Sequence, residues 1–192
     1  QALAESANLQ QISPRNLTKR DRIRRWLMAI LTEQAPFDSA QGDRVAPLPA
    51  VERALAGNLL AQLGDLRPGV GLREDGLPDI RWCDVPAGMF RMGSDPKKDK
   101  ETYKSEQPQH NVKVSAFQIS RYPVTNAQYR AFVEDGGYSK KEYWKEGWEW
   151  KKKEGITGPR KFGGAFDLPN HPVVGVSWYE AAAFCLWLTM KT

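Results

Sequence analysis

The most constraining stretch of this sequence is GVSWYEAAAFCLWLTMKT, residues 175–192. Ser177 is followed three residues later by Glu180, the pattern of a capping box, so a helix is predicted to begin just after Ser177. From Ala181 to Leu188 nearly every residue is apolar. A helix that is apolar around its whole circumference has to be covered on several sides. This segment therefore predicts a helix inside a larger fold.

Cys185 lies in the middle of that predicted helix. A helix stabilises a thiolate at its N-terminus, and the neighbours of Cys185 supply no cation, so we expect a raised thiol pKa and a structural packing role. The other cysteine is Cys83, and the two histidines are His110 and His171. So few ligands make a four-ligand metal site within this chain unfavourable. Each histidine precedes a predicted strand, and we expect a backbone carbonyl as its partner.

Length and composition bound the class of protein. The 192 residues are 41% hydrophobic and 27% charged, which fits one globular domain with a smaller element. The net charge of +5 favours anionic partners only weakly, and no groove-reading motif supports nucleic-acid binding. No apolar run approaches the ~18 residues of a membrane span, and the N-terminus lacks the apolar core of a secretory signal. We expect no membrane partner and a cytoplasmic protein.

The first 80 residues predict helices and a connector. Thr18 and Asp21 mark a helix start, and the first segment, residues 1–48, is interpreted as the helical tail of an upstream region that ends in a Pro- and Gly-containing loop. Residues 49–80 are interpreted as a second helix, closed by Gly64 in a left-handed cap, and an extended linker. The apolar stripe of that second helix is formed by Val51, Leu55, Leu59, Leu60 and Leu63. A domain is predicted over residues 81–192.

After residue 81 the sequence pattern changes from helical spacing to the alternation of side chains that is typical of strands. VPAGMFRMGS, residues 85–94, sets Met89 and Arg91 against Phe90 and Met92, as in a half-buried strand. NVKVSAFQIS, residues 111–120, alternates and then shifts phase after Val114, which predicts a bulge. The loop between them carries Asp95, Asp99, Glu101 and Glu106 without the glycine-punctuated rhythm of a calcium loop. Further along, Thr125 and Gln128 predict a second capping box.

Residues 136–172 form the main candidate binding segment, in which aromatic side chains alternate with lysines. The candidate ligand-binding residues are Tyr143, Trp144, Trp148 and Trp150. Aromatic faces beside cations suit stacking on a ligand. The alternative is that these rings pack against their own domain, as large aromatic side chains usually do. Both interpretations stay open at the sequence level, although the interspersed glutamates disfavour nucleic acid.

Four blocks carry a family resemblance: VPAGMFRMGSD, SEQPQHNVKV, YPVTNAQYRAFV and NHPVVGVSWYEAAAFCLWL. In this order they resemble the N-terminal half of the formylglycine-generating enzyme (sulfatase-modifying factor) family, from about Trp82 to Leu188. The resemblance implies an α+β, C-type lectin-like fold, irregular, with short antiparallel strands and two packed helices. Here a helical N-terminal region would precede it.

The resemblance also implies what this chain does not supply. The family's C-terminal blocks, which hold the copper-binding cysteines and the calcium ligands of the true oxidase, do not follow Leu188. No catalytic residue, metal ligand or cofactor is therefore assigned here, and copper or calcium is expected only in the other half. That half, as a second chain or a nicked remainder, is the expected partner, and we expect it to pack on Phe184, Trp187 and Leu188.

The leading functional hypothesis is a non-catalytic, lectin-like module of a bacterial multidomain protein that binds an unknown protein or small molecule. The variable proteins of diversity-generating retroelements are modules of this type. One alternative is part of a copper-dependent oxidase that converts a protein cysteine to formylglycine. Another is an iron-dependent sulfoxide synthase, whose three-histidine site this chain cannot supply because residues 1–80 contain no histidine.

Overall fold

The computed structural model describes residues 14–32 and 48–192, with side chains described from residue 19 onward. The helices are α1 (Pro14–Leu31), α2 (Ala50–Leu63), α3 (Asn126–Glu134), α4 (Trp148–Lys153) and α5 (Trp178–Lys191). The strands are β1 (Trp82–Val85), β2 (Gly88–Met92), β3 (His110–Val114) and β4 (Phe117–Ser120). Short 3₁₀ turns cover Lys104–Glu106, Lys141–Tyr143 and Gly164–Asp167. This mixture of helices and short antiparallel strands confirms the predicted α+β class.

The described residues divide into two compact units. Residues 81–121 form one unit, which holds the four strands. The described residues up to 80, together with residues 122–192, form the other, which holds the five α-helices. None of these helices combines the length and the apolar character that crossing a bilayer requires.

The strand unit contains two separate two-stranded antiparallel sheets, β1 with β4 and β2 with β3. The predicted bulge after Val114 is wrong. The chain leaves the β2–β3 sheet at Val114 and enters the β1–β4 sheet at Phe117, so the phase shift marks a change of sheet. Two strands that pair with different partners need not keep a common alternation.

Each small sheet has one apolar face, as the predicted alternation requires. Residues directly opposite one another share a face, and Phe90 lies opposite Val112 while Met89 lies opposite Lys113. In the other sheet Phe117 and Ile119 share the apolar face. The apolar faces are open to solvent, since Phe90 and Ile119 are each 54% exposed.

The first two helices differ in detail from their predictions. Helix α1 begins at Pro14, four residues before the predicted start, because proline suits the first turn, where an N–H would be unpaired in any case. Helix α2 is confirmed, and Gly64 closes it with φ +87°. Its apolar stripe is only partly buried, since Leu60 and Leu63 are inside while Val51 is 72% exposed. The rest of the predicted N-terminal segment, including the loop at 33–47, lies outside the described residues.

The predicted linker is bound to the start of α3. The Thr125 hydroxyl donates to the Val70 carbonyl at 2.8 Å, and the Gln128 amide donates to the carbonyls of Asp79 at 2.6 Å and Gly69 at 3.2 Å. Both side chains are buried. Residues 69–79 therefore belong to the helical unit.

An aromatic core joins α3, α5 and the segment between α3 and α4. Its buried members are Tyr129, Phe132, Tyr138, Tyr143, Trp144, Ala183, Phe184 and Trp187. Phe132 lies at the centre, with the ring centroids of Trp187 at 5.7 Å and Phe184 at 6.0 Å. The backbone at Gly137 approaches Phe132 so closely that a Cβ there would overlap the ring.

This core corrects the predicted packing of a second half on α5. Phe184 is 4% exposed and Trp187 is 1% exposed, and the residues that cover them belong to this chain. Leu188 is half-buried against the same core. A partner cannot pack on Phe184 and Trp187, because α3 and residues 138–144 already occupy that side of the helix.

Candidate functional site

Helices α3 and α5 both begin in capping boxes. Thr125 and Gln128 cap α3, and Ser177 and Glu180 cap α5, each through reciprocal side-chain and backbone bonds. Both predicted boxes are confirmed. Gln128 and Glu180 are polar yet buried, because the boxes and their further partners satisfy their side chains.

Glu180 is also the centre of a buried hydrogen-bond network. Its carboxylate accepts from the Ser177 N–H at 2.8 Å and from the Tyr138 hydroxyl at 2.6 Å. The hydroxyls of Tyr129 and Tyr138 are 3.0 Å apart. Burial raises the pKa of both phenols, and the bond to Glu180 raises the pKa of Tyr138 further. The phenols therefore remain donors, and Glu180 holds α5 against the core.

An open groove of about 300 Å³ lies between α5 and residues 143–147, and we call it the aromatic groove. Its aromatic lining residues are Tyr143, Trp144, Trp178 and Tyr179. Trp178 is 68% exposed, although it was not predicted as a site residue. The available signal was helical spacing, since residues 178, 182, 185 and 189 share the face opposite the buried 180, 184 and 187.

The four predicted ligand-binding aromatics occupy different environments. Tyr143 and Trp144 are core residues, 4% and 2% exposed, and Trp144 donates its indole N–H to the Gly137 carbonyl at 2.7 Å. The Lys151 ammonium lies 4.9 Å from the Trp148 ring centroid, and Trp150 packs on Tyr179 with centroids 5.0 Å apart. All four side chains thus contact residues of their own domain, as the alternative interpretation of the sequence predicts. Ligand stacking on them stays a prediction.

Cys185 is exposed on α5, so the prediction that it serves as packing material is wrong. Successive helical residues are about 100° apart, and the core side of this helix is taken by Phe184 and Trp187. Cys185 nevertheless lines the aromatic groove, and partial burial there raises the pKa of its thiol. The upward direction expected from the sequence is confirmed, and the thiol is protonated near neutral pH.

The described residues do not form a metal centre. No group of three histidine, cysteine or acidic side chains comes together within residues 14–32 and 48–192. His110 pairs through Nδ1 with the Pro108 carbonyl at 2.9 Å, the backbone partner expected for it. Asp95 and Asp99 accept backbone N–H groups two residues ahead, so they shape turns in the charged loop. The described residues thus do not fit copper, iron or calcium, and no chemical step is assigned through a metal.

The chain has an aromatic core between α3 and α5, short and separate antiparallel sheets, and a groove along α5. These features define an irregular α+β domain. The family model of the Sulfatase-modifying factor enzyme 1-like domain matches residues 81–190, more than half of the chain. The chain belongs to this family.

Curated relatives include hercynine oxygenases and formylglycine-generating enzymes. The chain is 39% identical over 109 residues to the hercynine oxygenase of Mycolicibacterium thermoresistibile, which covers 51% of this chain and 24% of that protein. It is 34% identical over 114 residues to the hercynine oxygenase of Mycolicibacterium smegmatis, and this match covers 54% of this chain and 27% of that protein. It is 33% identical over 135 residues to the formylglycine-generating enzyme of Thermomonospora curvata, and this match covers 54% of this chain and 42% of that protein. The matched region thus spans about a quarter of these hercynine oxygenases.

These relatives overturn the leading functional hypothesis. They are named as enzymes, and nothing in the comparisons supports a non-catalytic lectin-like module. The error came from interpreting the lack of catalytic residues in this chain as a lack of activity. A match that spans only part of each relative carries no such information.

Proposed function

We propose that this chain forms the N-terminal part of the sulfatase-modifying-factor domain of an oxygenase that acts on hercynine or a closely similar small molecule. The observation that carries the proposal is the pattern of identities. Three hercynine oxygenases share 39%, 34% and 36% of the aligned residues, whereas four formylglycine-generating enzymes share 27% to 33%. The enzymes named for hercynine are thus the nearer group among these relatives.

We further propose that the complete domain has the C-type lectin-like fold and that further residues of the same fold cover the apolar sheet faces. The exposure of Phe90, Met92, Phe117 and Ile119, each about half exposed, supports this. Burying apolar surface contributes roughly 25 cal/mol per Å², so two open apolar faces favour a covering element. We propose that the C-terminal half of the fold packs on these sheet faces and not on Phe184 and Trp187, because those two side chains are already covered.

A second candidate is the formylglycine-generating oxidase. It is supported by the enzymes of that name from Thermomonospora curvata and Mycobacterium tuberculosis, which are 33% and 30% identical to this chain. Whichever reaction applies, we propose that the metal is held by residues outside the described part. The part described here would supply a rigid wall and a groove.

The test uses the complete protein that contains this chain, supplied with iron(II), oxygen, a thiol donor and hercynine. Oxygen uptake is measured together with the product mass. Hercynine-dependent uptake with formation of a sulfur adduct is the expected result. A parallel reaction contains copper and a cysteine peptide. Conversion of the peptide alone would favour the oxidase, and inertness toward both substrates would refute both candidates.

A further inference from the structure

A second open cleft, of about 180 Å³, lies between α3 and residues 159–174, away from the aromatic groove. Its charged lining residues are Arg130, Arg160, Lys161 and Asp167, and we call it the basic cleft. Three cations against one acid leave an excess of positive charge. A concave surface with one sign of charge raises the local concentration of ligands of the opposite charge.

Two of the cations are free to bind a ligand. Within the part of the chain that the structure describes, the side chains of Arg130 and Lys161 form no hydrogen bond or ion pair. The Arg160 guanidinium lies over the Phe162 ring, 5.2 Å from its centroid. Stacking on an aromatic face restrains a guanidinium while its N–H groups remain available at the edge.

The walls of the basic cleft are fixed before any ligand arrives. The Arg160 N–H donates to the Gly175 carbonyl at 3.0 Å, and the two backbones lie so close that a Cβ on Gly175 would overlap the Arg160 carbonyl. The Asn126 amide donates to the Phe166 carbonyl at 2.6 Å and to the Leu168 carbonyl at 2.9 Å. A site whose loops are already held loses little conformational entropy on binding.

Apart from Asn126, the remaining lining is apolar. Val133, Val173 and Val174 line the cleft together with Tyr129. The Tyr129 hydroxyl is bonded inside the core, so this residue offers the cleft only ring carbons. The volume is below the roughly 300–1,000 Å³ of pockets for drug-sized ligands, so the cleft suits a ligand of few atoms. Cations above apolar walls match a charged head on a short carbon stem.

We propose that the basic cleft binds a small organic acid, with its carboxylate held by Arg130, Arg160 and Lys161 and a branched aliphatic stem against the valines. Guanidinium groups bind carboxylates through paired, charge-assisted hydrogen bonds. The site is distinct from the aromatic groove. It does not depend on the proposed oxygenase activity.

The test is a titration of the ¹⁵N-labelled 192-residue chain with isocaproate, a branched monocarboxylate, followed by NMR. Saturable shifts are expected at the amides of residues 130, 133, 161, 173 and 174, with a Kd in the millimolar range. Two further probes separate the charge from the stem. Isocaproamide keeps the stem without the charge, and acetate keeps the charge without the stem, so both are expected to bind more weakly than isocaproate.

Variants decide whether the named cations bind the carboxylate. Arg130→Gln and Lys161→Gln are each expected to weaken isocaproate binding by about tenfold, because each removes a charge-assisted contact. Lys153→Gln, at an exposed lysine of α4, is the matched control and is expected to leave the Kd unchanged. Equal binding of isocaproamide, stronger binding of inorganic phosphate, shifts outside the cleft or no saturation would each overturn the proposal.

Discussion

Replacing Tyr138 with phenylalanine tests whether the buried network around Glu180 holds the two helices together. The Tyr138 hydroxyl donates to the Glu180 carboxylate at 2.6 Å and lies 3.0 Å from the Tyr129 hydroxyl. Glu180 is 3% exposed, so water cannot replace the lost donor. A hydrogen bond to a charged group contributes about 1.5–3 kcal/mol, so Tyr138→Phe should lower the free energy of unfolding by about 2 kcal/mol.

Urea unfolding followed by tryptophan fluorescence measures this change. Tyr129→Phe is the matched control, because it removes a hydroxyl that bonds only neutral partners, the Tyr138 hydroxyl and the Glu180 carbonyl. It should cost about 1 kcal/mol. Contacting residues are not additive, so the double variant should cost less than the sum of the two. A loss below about 0.5 kcal/mol for Tyr138→Phe, or a larger loss for Tyr129→Phe, would refute the role given to Glu180.

Three further changes probe the helical unit. Gly137→Ala should cost about 1–3 kcal/mol in urea unfolding, because its Cβ overlaps a core ring, whereas Gly158→Ala, with open space around it, should be near neutral. The bond to Lys191 lowers the pKa of Asp135, so the stability that ionised Asp135 contributes is present above about pH 4 and is lost as the pH falls through the lowered pKa. Asp135→Asn should therefore make stability less dependent on pH in the acid range. An unchanged stability–pH profile would contradict this. In a Cys83→Ala variant, the Cys185 thiol should react with a disulfide reagent more slowly than free cysteine near neutral pH, because its pKa is raised. The difference between the two reaction rates should become smaller at about pH 9.

Features set by short sequence separations could be predicted. Each capping box depends on two residues three positions apart, so the sequence alone identifies Thr125 with Gln128 and Ser177 with Glu180. The same holds for the alternation of β2 and for Gly64, whose left-handed backbone strongly favours glycine.

Features set by distant contacts could not be predicted. Which side of α5 is buried depends on aromatic side chains of α3 and of the segment after it, so the sequence alone does not predict the surroundings of Cys185 and Trp187. The basic cleft gathers residues from α3 and from loops near residues 160 and 174, and no local pattern relates them. The sheet change after Val114 likewise requires the pairing partners to be known.

The bonds that Thr125 and Gln128 make to residues 69–79 set a limit on how this protein can be trimmed. The family match begins at Arg81, so an expression fragment designed from the match alone would start just after those carbonyl acceptors. It would lose the bonds from the Thr125 hydroxyl and the Gln128 amide and the cover that keeps both side chains buried, and each lost hydrogen bond costs about 0.5–1.5 kcal/mol. Fragments beginning near residue 66 should stay intact in limited proteolysis longer than fragments beginning at residue 81.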